Sequence, residues 1–341
     1  MLSRRIWMGL VGTAAFTQEW PQWRGPNRDG VLPGTGPVQW PDRLKQVWKV
    51  EVGEGHSSPL VVGGRVVQFA RRSEDEAVTA WELATGRKIW DQAATRPYRM
   101  NPAATGHGKG PKSTPVVHNG LIYVLGISGV LTAVRLDRGE AVWTYDSAKH
   151  FKSGSPDFGA AMSPAVYNGM LIAHLGTDHD GALIAFDPAS GKIRWQWKGQ
   201  GPAYSSPVLT PGGHIVTFSA EKLIGIKAGD GTLAWELPFT TPYAQNAVTP
   251  VLYRDLIIYS GLSHPVTAIR VSSGQPEKVW EAKEAGMYMN SPVMAAGLLH
   301  GLSHRNKGQY FSIDPNNGKV VWTSDGRQAE NAAMIARGKQ V

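Results

Sequence analysis

Ala185-Phe186-Asp187-Pro188-Ala189-Ser190-Gly191-Lys192-Ile193-Arg194-Trp195 reads as A-x-D-x-x-S-G-x-x-x-W. Asp187 and Gly191 shape a turn, the glycine because it takes φ > 0 without a Cβ clash, and Trp195 begins or lies on the strand that follows. The segment is a β-hairpin carrying one large flat ring. Ala80 to Trp90 repeats it with Glu82, Thr85 and Gly86, and Ser312 to Trp322 repeats it with Asp314, Asn317 and Gly318. Weaker copies pair Gly139 with Trp143, Gly231 with Trp235 and Gly274 with Trp280. In them Arg135 and Lys227 replace the acid, and Trp280 falls two residues late. Trp48 stands earlier in a similar context.

Working outward, each hairpin is preceded by a Ser/Thr-Pro pair: Ser58-Pro59, Thr114-Pro115, Ser163-Pro164, Ser206-Pro207, Thr249-Pro250 and Ser291-Pro292. Each pair opens two further β-rich runs, as in Pro115-Val116-Val117-His118-Asn119-Gly120-Leu121-Ile122-Tyr123-Val124. Four short strands in a unit of about 40–45 residues, without helical periodicity, predict an all-β β-propeller. An α-solenoid would need amphipathic helices in every period, and the WD40 signature is lacking apart from a solitary Trp90-Asp91. A ring per unit, Trp90, Trp143, Trp195, Trp235, Trp280 and Trp322, supplies the surface by which small sheets stack on their neighbours. The expected docking set is completed by Gly86, Gly139, Gly191, Gly231, Gly274 and Gly318.

The 341 residues include 40 Gly, 23 Pro, 13 Trp and no Cys, with 35 basic against 27 acidic side chains. The glycines and prolines punctuate short strands. Without cysteine there are no disulfides, Cys-ligated zinc, iron–sulfur clusters, thiol nucleophiles or lipid attachment through Cys. The net charge of +8 is mild and its cations are scattered, which does not point to nucleic acid. Residues 1–16, basic at Arg4 and Arg5 and then apolar to Phe16, read as an export signal by the general or the twin-arginine route. No later run approaches the ~18 apolar residues of a spanning helix. The expected location is periplasmic or secreted, in a bacterial cell envelope.

The repeat resembles the tryptophan-docking unit of the pyrroloquinoline-quinone (PQQ)-type propellers. That superfamily includes quinoprotein alcohol dehydrogenases and BamB-like outer-membrane assembly factors. The resemblance covers about residues 46–341. Trp20-Pro21-Gln22-Trp23-Arg24-Gly25-Pro26-Asn27-Arg28-Asp29-Gly30 resembles the entry motif of exported BamB-like proteins, making 17–44 an entry segment and 45–341 the propeller. Gly108-Lys109-Gly110-Pro111-Lys112-Ser113-Thr114-Pro115 is similar to their entry into the second blade. The resemblance implies seven blades, or eight, with the last incomplete: 331–336 reads as its first strand and Val47–Val52 as its outer one.

A dehydrogenase of this superfamily implies PQQ on the axis with Ca²⁺ held by Glu, Asn and Asp. Its adjacent-cysteine pair cannot exist here, and no acidic residue matches its catalytic position. No catalytic residue, metal ligand or cofactor is therefore expected, and quinone-dependent oxidation is kept as the alternative. His300 and His304 on a strand would stand about 13 Å apart, too far to chelate one metal. Asp178-His179-Asp180-Gly181 reads as a turn, and Gly106 to Lys112 fits no phosphate-loop pattern. No G-x-S-x-G elbow occurs. Two long connections, 91–112 and 144–161, are rich in cations and aromatics: Arg96, Tyr98, Arg99, His107, Lys149, His150, Phe151 and Lys152. Long loops on a rigid ring are where partners bind. The expected function is a non-catalytic, BamB-like scaffold for a protein partner in the envelope, without lipidation through Cys.

Overall fold

A computed structural model describes residues 19–34, 41–304 and 308–341. The expected export signal at 1–16 lies outside the described residues. Six four-stranded antiparallel sheets span residues 60–95, 116–146, 165–197, 208–238, 251–282 and 293–323. In each, strands pair in sequence order, so every sheet is a meander. Among the described residues the remaining regular structure is three short 3-10 turns, and no helix is long and apolar enough to cross a membrane.

Alternation along the strands builds the core between sheets rather than within any one of them. In the second sheet Ile122 and Val124 pack with Leu60, Phe69 and Val78 of the first, while Tyr123 and Leu125 pack with Leu171, Ile184 and Phe186 of the third. The same division continues around the molecule, with clusters between the third and fourth, fourth and fifth, and fifth and sixth sheets. A single sheet of this size exposes both faces. Stacking buries them, which is why the middle strand Gly181–Phe186 is buried along its whole length.

The tryptophans join consecutive sheets. Trp195 donates its indole N–H to the Ala228 carbonyl at 3.0 Å, and a Cβ on Gly231 would fall 2.5 Å from its ring. Trp90 meets Leu136 and Gly139, Trp143 meets Pro188 and Gly191, and Trp280 meets Pro315 and Gly318 in the same way. Trp48 repeats the contact on Leu83 and Gly86 of the first sheet. The turn that presents each glycine is set locally. In the third sheet Gly191 donates to Asp187 O at 2.9 Å, Ser190 donates to the Asp187 carboxylate, and Gly191 sits at φ 70°. Each of the six Trp lies opposite a small residue of its own sheet: Ala80, Ala133, Ala185, Gly225, Ala268 and Ser312. A β-bulge follows that small residue in every case.

Two of the expected docking rings behave differently. Trp235 is buried, but its N–H has no partner and the nearest atom to a Cβ on Gly274 would be a backbone oxygen 3.9 Å away. The cause is local. Ser272 pairs with Gln275, so Gly274 turns a tight two-residue hairpin beyond the docking position, and Gly225 lets the Trp235 ring lie against its own sheet. Trp322 is 53% exposed, because no seventh sheet stands beside it among the described residues. The stretch Val47–Val52, expected as an outer strand, has no ladder partner there despite the docking of Trp48. Residues near 336 do take an inner position, with Ala336 bridging Val31.

Replacing Trp195 with Ala should lower the unfolding free energy by about 3–5 kcal/mol, and Trp322→Ala by less than about 1. Urea unfolding of both variants reads the difference, and equal losses would remove the distinction. A second expectation concerns His174, 2% exposed, whose Nε2 donates to Gln200 O at 2.9 Å. Burial lowers its pKa to about 4. The folded state keeps it neutral while an unfolded His takes a proton near pH 6.5, so stability falls as pH drops from about 6.5 to 4, by roughly 3 kcal/mol at the limit. His174→Leu should flatten that slope in unfolding measured across the window.

Candidate functional site

The Ser/Thr-Pro pairs form a chain of hydrogen bonds around the axis. The Ser58 amide donates to Thr114 Oγ1 at 3.0 Å, Thr114 to Ser163 Oγ at 3.0 Å, and Ser163 to Ser206 Oγ at 2.9 Å. Ser206 donates to Thr249 Oγ1 at 2.9 Å and Thr249 to Ser291 Oγ at 3.3 Å. A proline follows each hydroxyl and fixes the backbone for the inner strand. Beyond Ser291 the Ala332 amide donates to Asn290 Oδ1 at 2.6 Å.

One end of the axis is plugged by the entry motif. Arg28, 5% exposed, donates to the Ser163 and Pro164 carbonyls at 2.9 Å each. Arg24 reaches Asp29 O and Pro292 O. Trp20 exchanges backbone bonds with Val61, and Val117 donates to Pro21 O. Trp23 lies between the two guanidiniums, 5.4 Å from each. Burial lowers the Arg24 pKa to about 10 and pushes Arg28 down as well. The sequence marked this motif as an entry segment; the structure shows it stitching the first, second, third and sixth sheets together.

At the other end lies a cavity of about 510 Å³. Its wall includes the residue two before each ring hydroxyl, namely His56, Lys112, Ala161, Tyr204, Ala247 and Met289. His107, expected as a partner-binding residue, comes here, and its carbonyl accepts from His56 Nε2 at 2.9 Å. Lys112 Nζ donates to Phe158 O at 2.7 Å, and burial lowers its pKa. Burial raises that of Tyr204, whose hydroxyl accepts from the Phe158 amide. A quinone with Ca²⁺ requires carboxylate oxygens facing the axis. The lining holds Gln245 and Asn331 amides, imidazoles and an ammonium but no carboxylate, so these residues do not fit that pair.

A second cavity, about 580 Å³, opens between the two long connections. Arg96, Tyr98 and Arg99 from the first face Lys149 and residues 153–155 from the second, with Asp146 as the one carboxylate of the lining. Three other expected residues serve elsewhere. His150 stacks on Tyr145 with centroids 4.4 Å apart, and Phe151 packs on the core between the second and third sheets. Lys152 is tied through its amide to Asp180 Oδ2 at 2.7 Å.

The anchor of this cleft was not foreseen. Arg71 and Glu76, 1% and 5% exposed, pair at 3.3 Å inside the first sheet. Arg71 also donates to the Lys109 and Arg96 carbonyls, at 2.8 and 2.9 Å, and Glu76 accepts from the Ile127 amide at 2.9 Å. Burial raises the Glu76 pKa against the pull of that amide and of Arg71. In the sequence the pair sits at the two ends of the charged run Arg71-Arg72-Ser73-Glu74-Asp75-Glu76, where nothing local distinguishes it from a solvated turn. The two histidines at 300 and 304 bond to Ser312, Ala295 and Gly286, and among the described residues no cluster of three or more His, Asp or Glu is placed to hold a metal.

A family model described as outer membrane protein assembly factor BamB matches residues 74–324. The outer membrane protein assembly factor BamB of Yersinia pestis is 22% identical over 266 residues, covering 73% of this chain and 65% of that protein. The chain therefore spans less than two thirds of that relative's length. Among solved structures, BamB from Moraxella catarrhalis superposes with a TM-score of 0.57 at 16% identity, covering 83% of this chain and 79% of that one. A europium-containing methanol dehydrogenase superposes with a TM-score of 0.58 at 11% identity, over 90% and 78%. Both likenesses concern the propeller fold.

Proposed function

The chain belongs to the family of the outer membrane protein assembly factor BamB, and from that premise we propose that it is a non-catalytic propeller scaffold holding a protein partner in the bacterial cell envelope. The observation that carries this reading is the cleft of Arg96, Tyr98, Arg99 and Lys149 on an otherwise stiff ring. Arg and Tyr are the residues that most often dominate protein interfaces, because they combine large contact area with directed polar groups. The stacked sheets hold the two loops in fixed relation, which lowers the ordering cost of association. Envelope location accords with the basic-apolar start of the sequence. The alternative, quinone-dependent oxidation, is disfavoured by the axial wall of His56, Lys112, Ala161, Tyr204, Ala247 and Met289.

Two measurements on one preparation separate the readings. Immobilised protein should retain a discrete envelope partner and lose most of it in the Arg99→Ser/Lys149→Ser double variant. A quinone titration with Ca²⁺, followed by alcohol-dependent dye reduction, should give neither saturation nor turnover. Saturable quinone binding with turnover, and no retained partner, would replace the scaffold with an enzyme.

A further inference from the structure

We propose that the cleft between the two long connections recognises an acidic polypeptide segment, a deepening that rests on the scaffold reading above. Three cations converge on it from two chain segments, Arg96 and Arg99 on one wall and Lys149 on the other. Arg99 and Lys149 are exposed, and neither forms an ion pair among the described residues. Several cation-bearing turns elsewhere are neutralised locally, as where Arg87 meets Glu82, Arg194 meets Asp187 and Arg270 meets Asp255. Here two unpaired cations stand with Arg96 around one concavity.

Asp146, the single carboxylate of the lining, is occupied: its Oδ1 accepts the Ala148 amide at 3.1 Å and caps the short turn that carries Lys149. It helps to place Lys149, and its one negative charge against three cations leaves the lining net positive. The buried Arg71 holds the Arg96 carbonyl, so the first wall is fixed before any partner arrives. Tyr98 is half-buried between the cations and offers an aromatic face. A bidentate guanidinium, an ammonium and a ring face together match carboxylate side chains flanking an aromatic or apolar one. A concave cleft of this volume admits a few side chains of a strand or loop, whereas a flat anionic bilayer would press on its rims without entering.

Fluorescence anisotropy with a labelled peptide of repeated Glu-Glu-Tyr, beside one of repeated Gln-Gln-Tyr, tests the chemistry on the full chain. The acidic peptide should bind at low salt and the neutral one at least about tenfold more weakly, with the difference shrinking as salt rises towards about 0.5 M and the Debye length falls to about 4 Å. Arg99→Ser/Lys149→Ser should weaken the acidic peptide about tenfold, while Lys192→Ser, in the turn of the third sheet, leaves it unchanged. Near-UV circular dichroism checks that the double variant is folded, and if it is not, Arg99→Gln alone is read in its place. Equal binding of the two peptides, an unaffected double variant, or binding to phosphatidylglycerol vesicles without binding to the peptide would overturn the proposal. Retention of an envelope partner together with any of those results leaves the scaffold standing and removes only the acidic segment; loss of both removes both.

Discussion

An indole laid on a glycine is the contact on which the rest of this structure depends. The ring needs a surface without a Cβ, the N–H needs a carbonyl within about 3 Å, and the neighbouring sheet's turn supplies both from one short segment. Because each turn belongs to the next sheet, the contact is directional. It runs from Trp48 to the first sheet, from Trp90 to the second, from Trp143 to the third, from Trp195 to the fourth and from Trp280 to the sixth. The exception at Trp235 follows from the same constraint. Where the hairpin is longer, the glycine moves away, and a glycine in the ring's own sheet receives it instead.

The inner and outer parts of the ring are held by different chemistry. Outside, apolar burial and the tryptophans act; inside, backbone amides are satisfied by the hydroxyls of the next unit, and two arginines of the plug satisfy carbonyls that face the axis. Both devices answer the demand that buried polar groups find partners. Their combined effect is a packed frame, and among the described residues the connections 91–112 and 144–161 are the longest between its sheets. Even these are tethered, by Arg71 at one side and by Asp178, Asp180 and Tyr204 at the other. Binding residues on such loops are set in place by the frame rather than by the partner.

The repeat was legible because its parts are local. A turn acid, a glycine and a tryptophan within eleven residues report a hairpin wherever they occur, and the small residue that starts the motif proved to lie opposite the ring. The sharing of one cleft by Arg96, Tyr98, Arg99 and Lys149 was legible only as two unusually long connections. What could not be read was anything set by distance along the chain. Arg71 looks like any strand-end cation until residues 96 and 109 are folded over it, and Arg28 gains its partners 135 and 136 residues away. Phe151 and His150 were read as loop aromatics because nothing in their neighbourhood announces the core and the Tyr145 ring they meet.

Ring and glycine act as one unit between sheets, and a double-mutant cycle on Trp195 and Gly231 measures that coupling. Gly231→Ala alone should destabilise strongly, since the added Cβ falls 2.5 Å from the ring and the backbone sits at φ 76°. In a Trp195→Ala background the clash disappears and only the backbone strain remains, so urea unfolding should return a coupling of about 1–3 kcal/mol. Additive losses, with coupling within about 0.3–0.5 kcal/mol of zero, would mean that the two residues stabilise the sheets independently and would contradict the account.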